Sequence, residues 1–155
     1  MRNTARLAAM LLVSLITATA GHARSAYAPD KENLAVATFA GGCFWCVEEG
    51  FEKIPGVVEA VSGYSGGKET NPSYEQVSAG QTGHTEAVQV YYDPAVITYE
   101  GLVEGFWRFV DPTDSAGQFV DRGRQYRPAI FYHSREQQRI AQTSRDALEA
   151  SGRYD

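Results

Sequence analysis

Cysteine is scarce in this chain: only Cys43 and Cys46 stand in its 155 residues. That excludes the disulfide framework with which small exported domains staple themselves. The two cysteines are three positions apart, and closing so short a loop removes little unfolded-state entropy. The pair therefore reads as redox chemistry rather than as a stabilising bridge. Histidine does not cluster either, since His84 and His133 stand alone; no four-ligand zinc set can be assembled, and no metal is expected. Basic residues do not prevail. Lys and Arg number 14 against 19 Asp and Glu, for a formal net charge of -5 with the signs interspersed, which argues against nucleic acid as a partner and against a polybasic membrane patch. Repeats and low-complexity tracts are missing, so nothing suggests a solenoid or a linker-joined array.

What is there begins with an address. Arg2 and Arg6 precede an apolar run from Leu7 to about Ala18 and then small residues, which reads as a signal peptide over 1–23 with cleavage between positions 20 and 28. The run is too short for a comfortable membrane anchor. The expectation is an exported, periplasmic protein whose residues 24–155 form a single domain.

Leu34 to Ala40 is a short apolar run stopped by Gly41 and Gly42, a buried strand ending in a tight turn. A helix opens near Cys43, with Phe44, Val47, Phe51 and Ile54 at helical spacing, and Pro55-Gly56 ends it. Val57 to Gly63 reads as a second strand. Ser65 to Gly83, rich in Gly, Ser, Asn and Pro, reads as a long irregular excursion. Between Thr85 and Asp93, Glu86, Val88, Val90 and Tyr92 alternate with Ala87, Gln89 and Tyr91, a strand with two differing faces. Thr98 caps a helix carrying Leu102, Phe106 and Val110. A second loop over Asp111 to Arg127 leads to a strand at Ala129 to Tyr132, and Ser134 with Gln137 forms a capping box for a last helix that Gly152 stops. This order predicts an α/β (α+β) fold with the ferredoxin-like split βαβ core: a mixed sheet, helices packed on it, and an extra C-terminal helix. A thioredoxin-like fold is the alternative, with C-x-x-C at the mouth of a helix after a strand and Pro128 in the place of its cis-proline.

Cys43 follows two glycines and opens a helix, where free N–H groups and the helix dipole favour a thiolate, the attacking species. Cys46, one turn later on the same side, is placed to resolve an oxidised Cys43. The first turn must loosen to bring the sulfurs together, which predicts a labile bond. Phe44 and Trp45 are an extravagant choice for a plain dithiol and suggest an apolar pocket; for Trp45, pocket and core both stay open.

The stretches GGCFWCVEEGFEKIPGVVEAVSGYSGG, NPSYEQVSAGQTGHTEAVQVYYDP and GRQYRPAIF together resemble the methionine sulfoxide reductase A family, from about Leu34 to near the end. The resemblance implies a reductase that returns methionine sulfoxide, free or in proteins and of the S epimer, to methionine. It implies that Cys43 is the nucleophile, that Phe44 and Trp45 hold the substrate methyl group, and that Glu86 is the acid. Tyr74 and Tyr126 would help bind the sulfoxide oxygen, and Asp121 would assist. The chemistry makes sense of these types: thiolate attack on a sulfoxide needs a proton delivered to the oxygen, and a carboxyl among aromatic rings keeps its proton. Without the resemblance Glu86 reads as a solvated strand carboxylate. The implied cycle leaves a Cys43 sulfenic acid, then a Cys43–Cys46 disulfide reduced by thioredoxin or a thioredoxin-like dithiol, with no bound cofactor and a monomeric enzyme.

Two departures stand out. Many relatives lack a cysteine where Cys46 stands and keep recycling cysteines near the C-terminus, and this chain stops at Asp155, earlier than the family pattern, which implies a missing C-terminal segment. Export adds a demand, since an oxidising compartment drives the pair to the disulfide and a dedicated exported reductant must restore it. Two other readings compete: a thioredoxin-like dithiol-disulfide oxidoreductase, and an exported module that binds a peptide in the aromatic pocket.

Overall fold

The computed structural model describes residues 33–154; the signal sequence expected at 1–23 and its cleavage region lie outside the described residues. Within them the order is β1 (Ala35–Ala40), α1 (Phe44–Glu52), β2 (Val57–Ser65), α2 (Tyr74–Ser78), β3 (Thr85–Tyr92), α3 (Tyr99–Phe106), β4 (Gly117–Gln118), β5 (Asp121–Arg122), β6 (Ala129–Phe131) and α4 (Arg135–Ala150). The main sheet runs β2-β3-β1-β6. This is the split βαβ connectivity, with one correction: all three pairings are antiparallel, so the sheet is not mixed. The α1 crossover leaves β1 and β2 pointing the same way, and β3 then inserts between them, so no two parallel strands touch. The thioredoxin-like alternative falls with this, because β1 has antiparallel neighbours on both sides. Among the described residues no peptide bond is cis, that before Pro128 included.

The alternation along β3 decides which face is covered. Val88, Val90 and Tyr92 join Ala37, Phe39 and Ala60 from the neighbouring strands, and Val47 and Phe51 of α1 with Leu102, Val103 and Phe106 of α3 close over them. Phe39 is the centre, 4.7 Å from the Phe51 ring and 5.1 Å from that of Phe106. Each such ring contributes about 1.5–3 kcal/mol by leaving water. Thr98 caps α3 through its hydroxyl, which accepts from Gly101 N–H. At α4, Ser134 accepts from Gln137 N–H as expected, but the returning Gln137 carbonyl takes the His133 N–H, one residue earlier than a capping box would. The amide of Gln137 donates to Val36 O at 2.8 Å, satisfying an edge of β1 that the short β6 does not reach.

Both long loops carry more order than their composition suggests. The excursion after β2 contains α2, closed by a capping box in which Ser73 and Gln76 satisfy each other's backbone N–H. It is tied back at its end: His84 Nδ1 accepts from Gly67 N–H and Gly83 N–H donates to the Glu69 carboxylate. The loop before β6 folds into the β4–β5 hairpin and a 3-10 turn at Arg124–Tyr126. In α2, β4 and β5, elements of two to five polar or mixed residues, there is no hydrophobic period to read, and only the Ser73–Gln76 capping box marks α2 in the sequence.

Candidate active site

The chain leaves β1 through two glycines that nothing larger could replace. A Cβ on Gly41 would lie 2.3 Å from Val110 Cγ1, and Gly42 has φ +93 with the Gln118 Cβ only 2.9 Å from where its own would be. Gln118 cannot yield. It is buried, its amide donates to Asp111 O and Gly117 O, and its carbonyl accepts from Asp111 N–H at 2.7 Å. Pressed between these partners, the turn delivers Cys43 as the N-cap residue of α1, its carbonyl accepting from Cys46 N–H at 3.1 Å and Val47 N–H at 3.2 Å. Both thiols are free, Cys43 half-buried and Cys46 exposed. The Cys46 thiol is pushed above its ordinary range by burial first, then by the charge of Cys43 and a hydrogen bond with it, with Asp121 and Glu49 adding to the effect.

Glu86 points to the covered side of β3 and is only 2% exposed. Its Oε2 accepts from Phe44 N–H at 3.0 Å, one of the orphan donors of the α1 first turn. The carboxyl is therefore anchored to the residue next to Cys43. Burial raises its pKa above the usual carboxylate range, the Phe44 N–H opposes that, and the charge of Asp121 reinforces it. A buried carboxyl with a raised pKa is thus bonded to the residue that follows Cys43 at the helix mouth.

Aromatic rings form the wall around this pair. Phe44 is buried, with its ring 5.0 Å from Trp45, 5.8 Å from Tyr64 and 6.3 Å from Tyr74. Trp45 stacks on Tyr74 at 5.9 Å and is 59% exposed, so it is rim and not core. Tyr126 stands at the end of the 3-10 turn, which Gln125 hitches to α2 by donating to Ser78 O. The Tyr126 phenol is raised by burial and then by the charges of Glu86, Tyr74, Asp121 and Cys43 around it. Asp121, on β5 opposite Gln118, completes the group as the charge felt by Cys46, Glu86 and Tyr126 alike. All eight residues singled out in the sequence, Cys43, Phe44, Trp45, Cys46, Tyr74, Glu86, Asp121 and Tyr126, are thereby brought to one place.

Tyr64 is a neighbour that sequence reasoning passed over. It lies across the β2–β3 ladder from Glu86, and burial followed by the charges of Glu86, Tyr74 and Glu75 raises its phenol. Its place in the GYSGG stretch was in view, but the second strand was expected to end at Gly63, whereas β2 runs on to Ser65 and so sets Tyr64 opposite Glu86.

A family model for peptide methionine sulfoxide reductase matches residues 35–155. The peptide methionine sulfoxide reductase MsrA of Listeria monocytogenes serotype 4a (strain HCC23) is 60% identical over 124 residues, which cover 80% of this chain and 70% of that protein. Among solved structures, methionine sulfoxide reductase A of Corynebacterium diphtheriae matches with a TM-score of 0.70 and 33% identity, over 79% of this chain and 61% of that one. Reduced Mxr1 from Saccharomyces cerevisiae matches with a TM-score of 0.67 and 34% identity, over 77% of this chain and 73% of that one.

Proposed function

This chain belongs to the peptide methionine sulfoxide reductase family, oxidoreductases that return methionine sulfoxide to methionine, and from that premise we propose the following division of labour among its residues. The Cys43 thiolate attacks the sulfoxide sulfur while Glu86 gives its proton to the oxygen. The oxygen passes to the Cys43 sulfur as a sulfenic acid, and methionine departs reduced by two electrons. Phe44 and Trp45 hold the methyl group, Tyr74 and Tyr126 bind the oxygen, and Asp121 supports the acid. The observation that supports this reading is the bond from Phe44 N–H to the buried Glu86, because burial strengthens this carboxyl's hold on its proton and Phe44 is the residue after Cys43. The S epimer as substrate follows the family.

Cys46 then attacks the Cys43 sulfur, forming the Cys43–Cys46 disulfide and releasing water. Its raised pKa supports this order, because it stays a thiol while Cys43 does the first chemistry. Of the two cysteines Cys46 is the more exposed residue, so an external dithiol of the thioredoxin type attacks there and frees Cys43. The residues reading as a signal peptide support work in the periplasm, with an exported thioredoxin-like reductant. Cell fractionation checks the compartment.

The test is reduction of a methionine sulfoxide substrate by wild type, Cys43→Ser and Cys46→Ser. We expect Cys43→Ser to be inactive and Cys46→Ser to release one methionine per enzyme but to lose recycling by thioredoxin. A multiple-turnover Cys43→Ser variant would sink the assignment.

A further inference from the structure

Resting on that reading, we propose that the tip of the β4–β5 hairpin, Phe119 and Val120, is a docking rim for the polypeptide that flanks an oxidised methionine, and that it selects apolar neighbours. Phe119 is 71% exposed and Val120 89%. Single exposed apolar residues are ordinary, but two in succession at a hairpin tip are not, because turn positions favour Gly, Asn and Asp. The register pairs Gln118 with Asp121, so Phe119 and Val120 are the whole turn. Phe119 also has φ +50, the left-handed region that a bulky side chain rarely adopts. Exposure, hydrophobicity and backbone strain thus coincide on one residue, a combination that persists where it serves a site.

The hairpin's position gives that site. Gln118, the residue before the tip, packs on Gly42 ahead of the nucleophile, and Asp121, the residue after it, is an electrostatic neighbour of Cys46, Glu86 and Tyr126. The tip is held firmly, with Arg122 paired to Asp114 and Gln118 bonded on both amide atoms. Exposed apolar surface is therefore continuous in sequence with the pocket wall, and the exposed Trp45 rises beside the cysteines. An unfolded stretch with apolar side chains beside its sulfoxide fits this rim; a free amino acid would not reach it.

The experiment uses dithiothreitol as reductant and three substrates: N-acetyl-methionine sulfoxide, a pentapeptide sulfoxide flanked by leucines, and the same peptide flanked by serines. Wild type should favour the leucine peptide over the serine peptide by roughly tenfold in kcat/KM. Phe119→Asn with Val120→Ser should erase that preference through KM, with the N-acetyl substrate unaffected; Asn suits the left-handed position, and Val120→Ser alone should remove part of the preference. The proposal is overturned if wild type does not discriminate between the peptides, or if the variant loses all three substrates alike. It is also overturned if the loss appears only with thioredoxin as reductant, which would make the tip a reductant site. A change in sedimentation mass of the variant would make it a self-association surface instead. Wild type inactive on every sulfoxide would refute the underlying function rather than the rim alone.

Discussion

Glu86 carries opposite consequences for catalysis and for stability. Its folded pKa lies above its unfolded one, so between those two values the folded chain holds more protons than the unfolded chain and stability falls as pH rises. Below the ordinary Glu range both states are protonated and the contribution is intact. Gln keeps an acceptor for Phe44 N–H and never ionises. We expect Glu86→Gln to lose about 100-fold or more in turnover, to melt with wild type in acid, and to melt above it as pH approaches neutrality. Melting temperature against pH, with wild type and variant side by side, decides this; a variant less stable than wild type at neutral pH would contradict it. The alternation that puts Glu86 in line with Val88, Val90 and Tyr92 was legible in the sequence. Its bond to Phe44 was not, because 42 residues separate the two and only the sheet brings them together.

At the scale of elements, the site depends on how β1 is joined to α1. Gly42 has a backbone conformation closed to alanine, and Gln118 fills the space a Cβ would need. Gly42→Ala should cost about 2 kcal/mol or more in denaturant unfolding. It should also slow the first turnover by more than the stability loss explains, since the N-cap residue it displaces is Cys43. Equal rates of methionine release in the first turnover would show that the turn's geometry is immaterial. The four strands of the main sheet and the three longer helices were readable from periodicity and caps, since Thr98 and Ser134 both accept from the third residue on. What composition concealed was α2 and the β4–β5 hairpin, which bring Tyr74 and Asp121 to the pocket from stretches that look like plain loop.

For the whole molecule, α4 supplies stability from a distance. Ile140 is its contribution to the core, and Trp107 Nε1–H donates to Ser144 at 2.8 Å, joining α3 to α4 well away from the cysteines. Ile140→Ala should cost about 2–4 kcal/mol, while kcat/KM measured well below the melting temperature stays near that of wild type. Denaturant unfolding alongside dithiothreitol-driven kinetics separates the two. A comparable fall in activity would mean that α4 packing reaches the site.

The sequence alone determined the order of the four main strands and three longer helices, the covered face of β3, the glycine turn before Cys43 and the spacing that sets Cys46 on the same side of α1. Those are local matters, settled by side-chain volume, backbone freedom and period. Only the tertiary structure decided that the main sheet is antiparallel throughout, that Trp45 is rim and not core, that Tyr64 stands across the ladder from Glu86, and that Glu86 is buried enough for its pKa to rise. Each of these depends on which distant segment lies alongside, and desolvation in particular belongs to no single stretch of chain but to all those that close around the group.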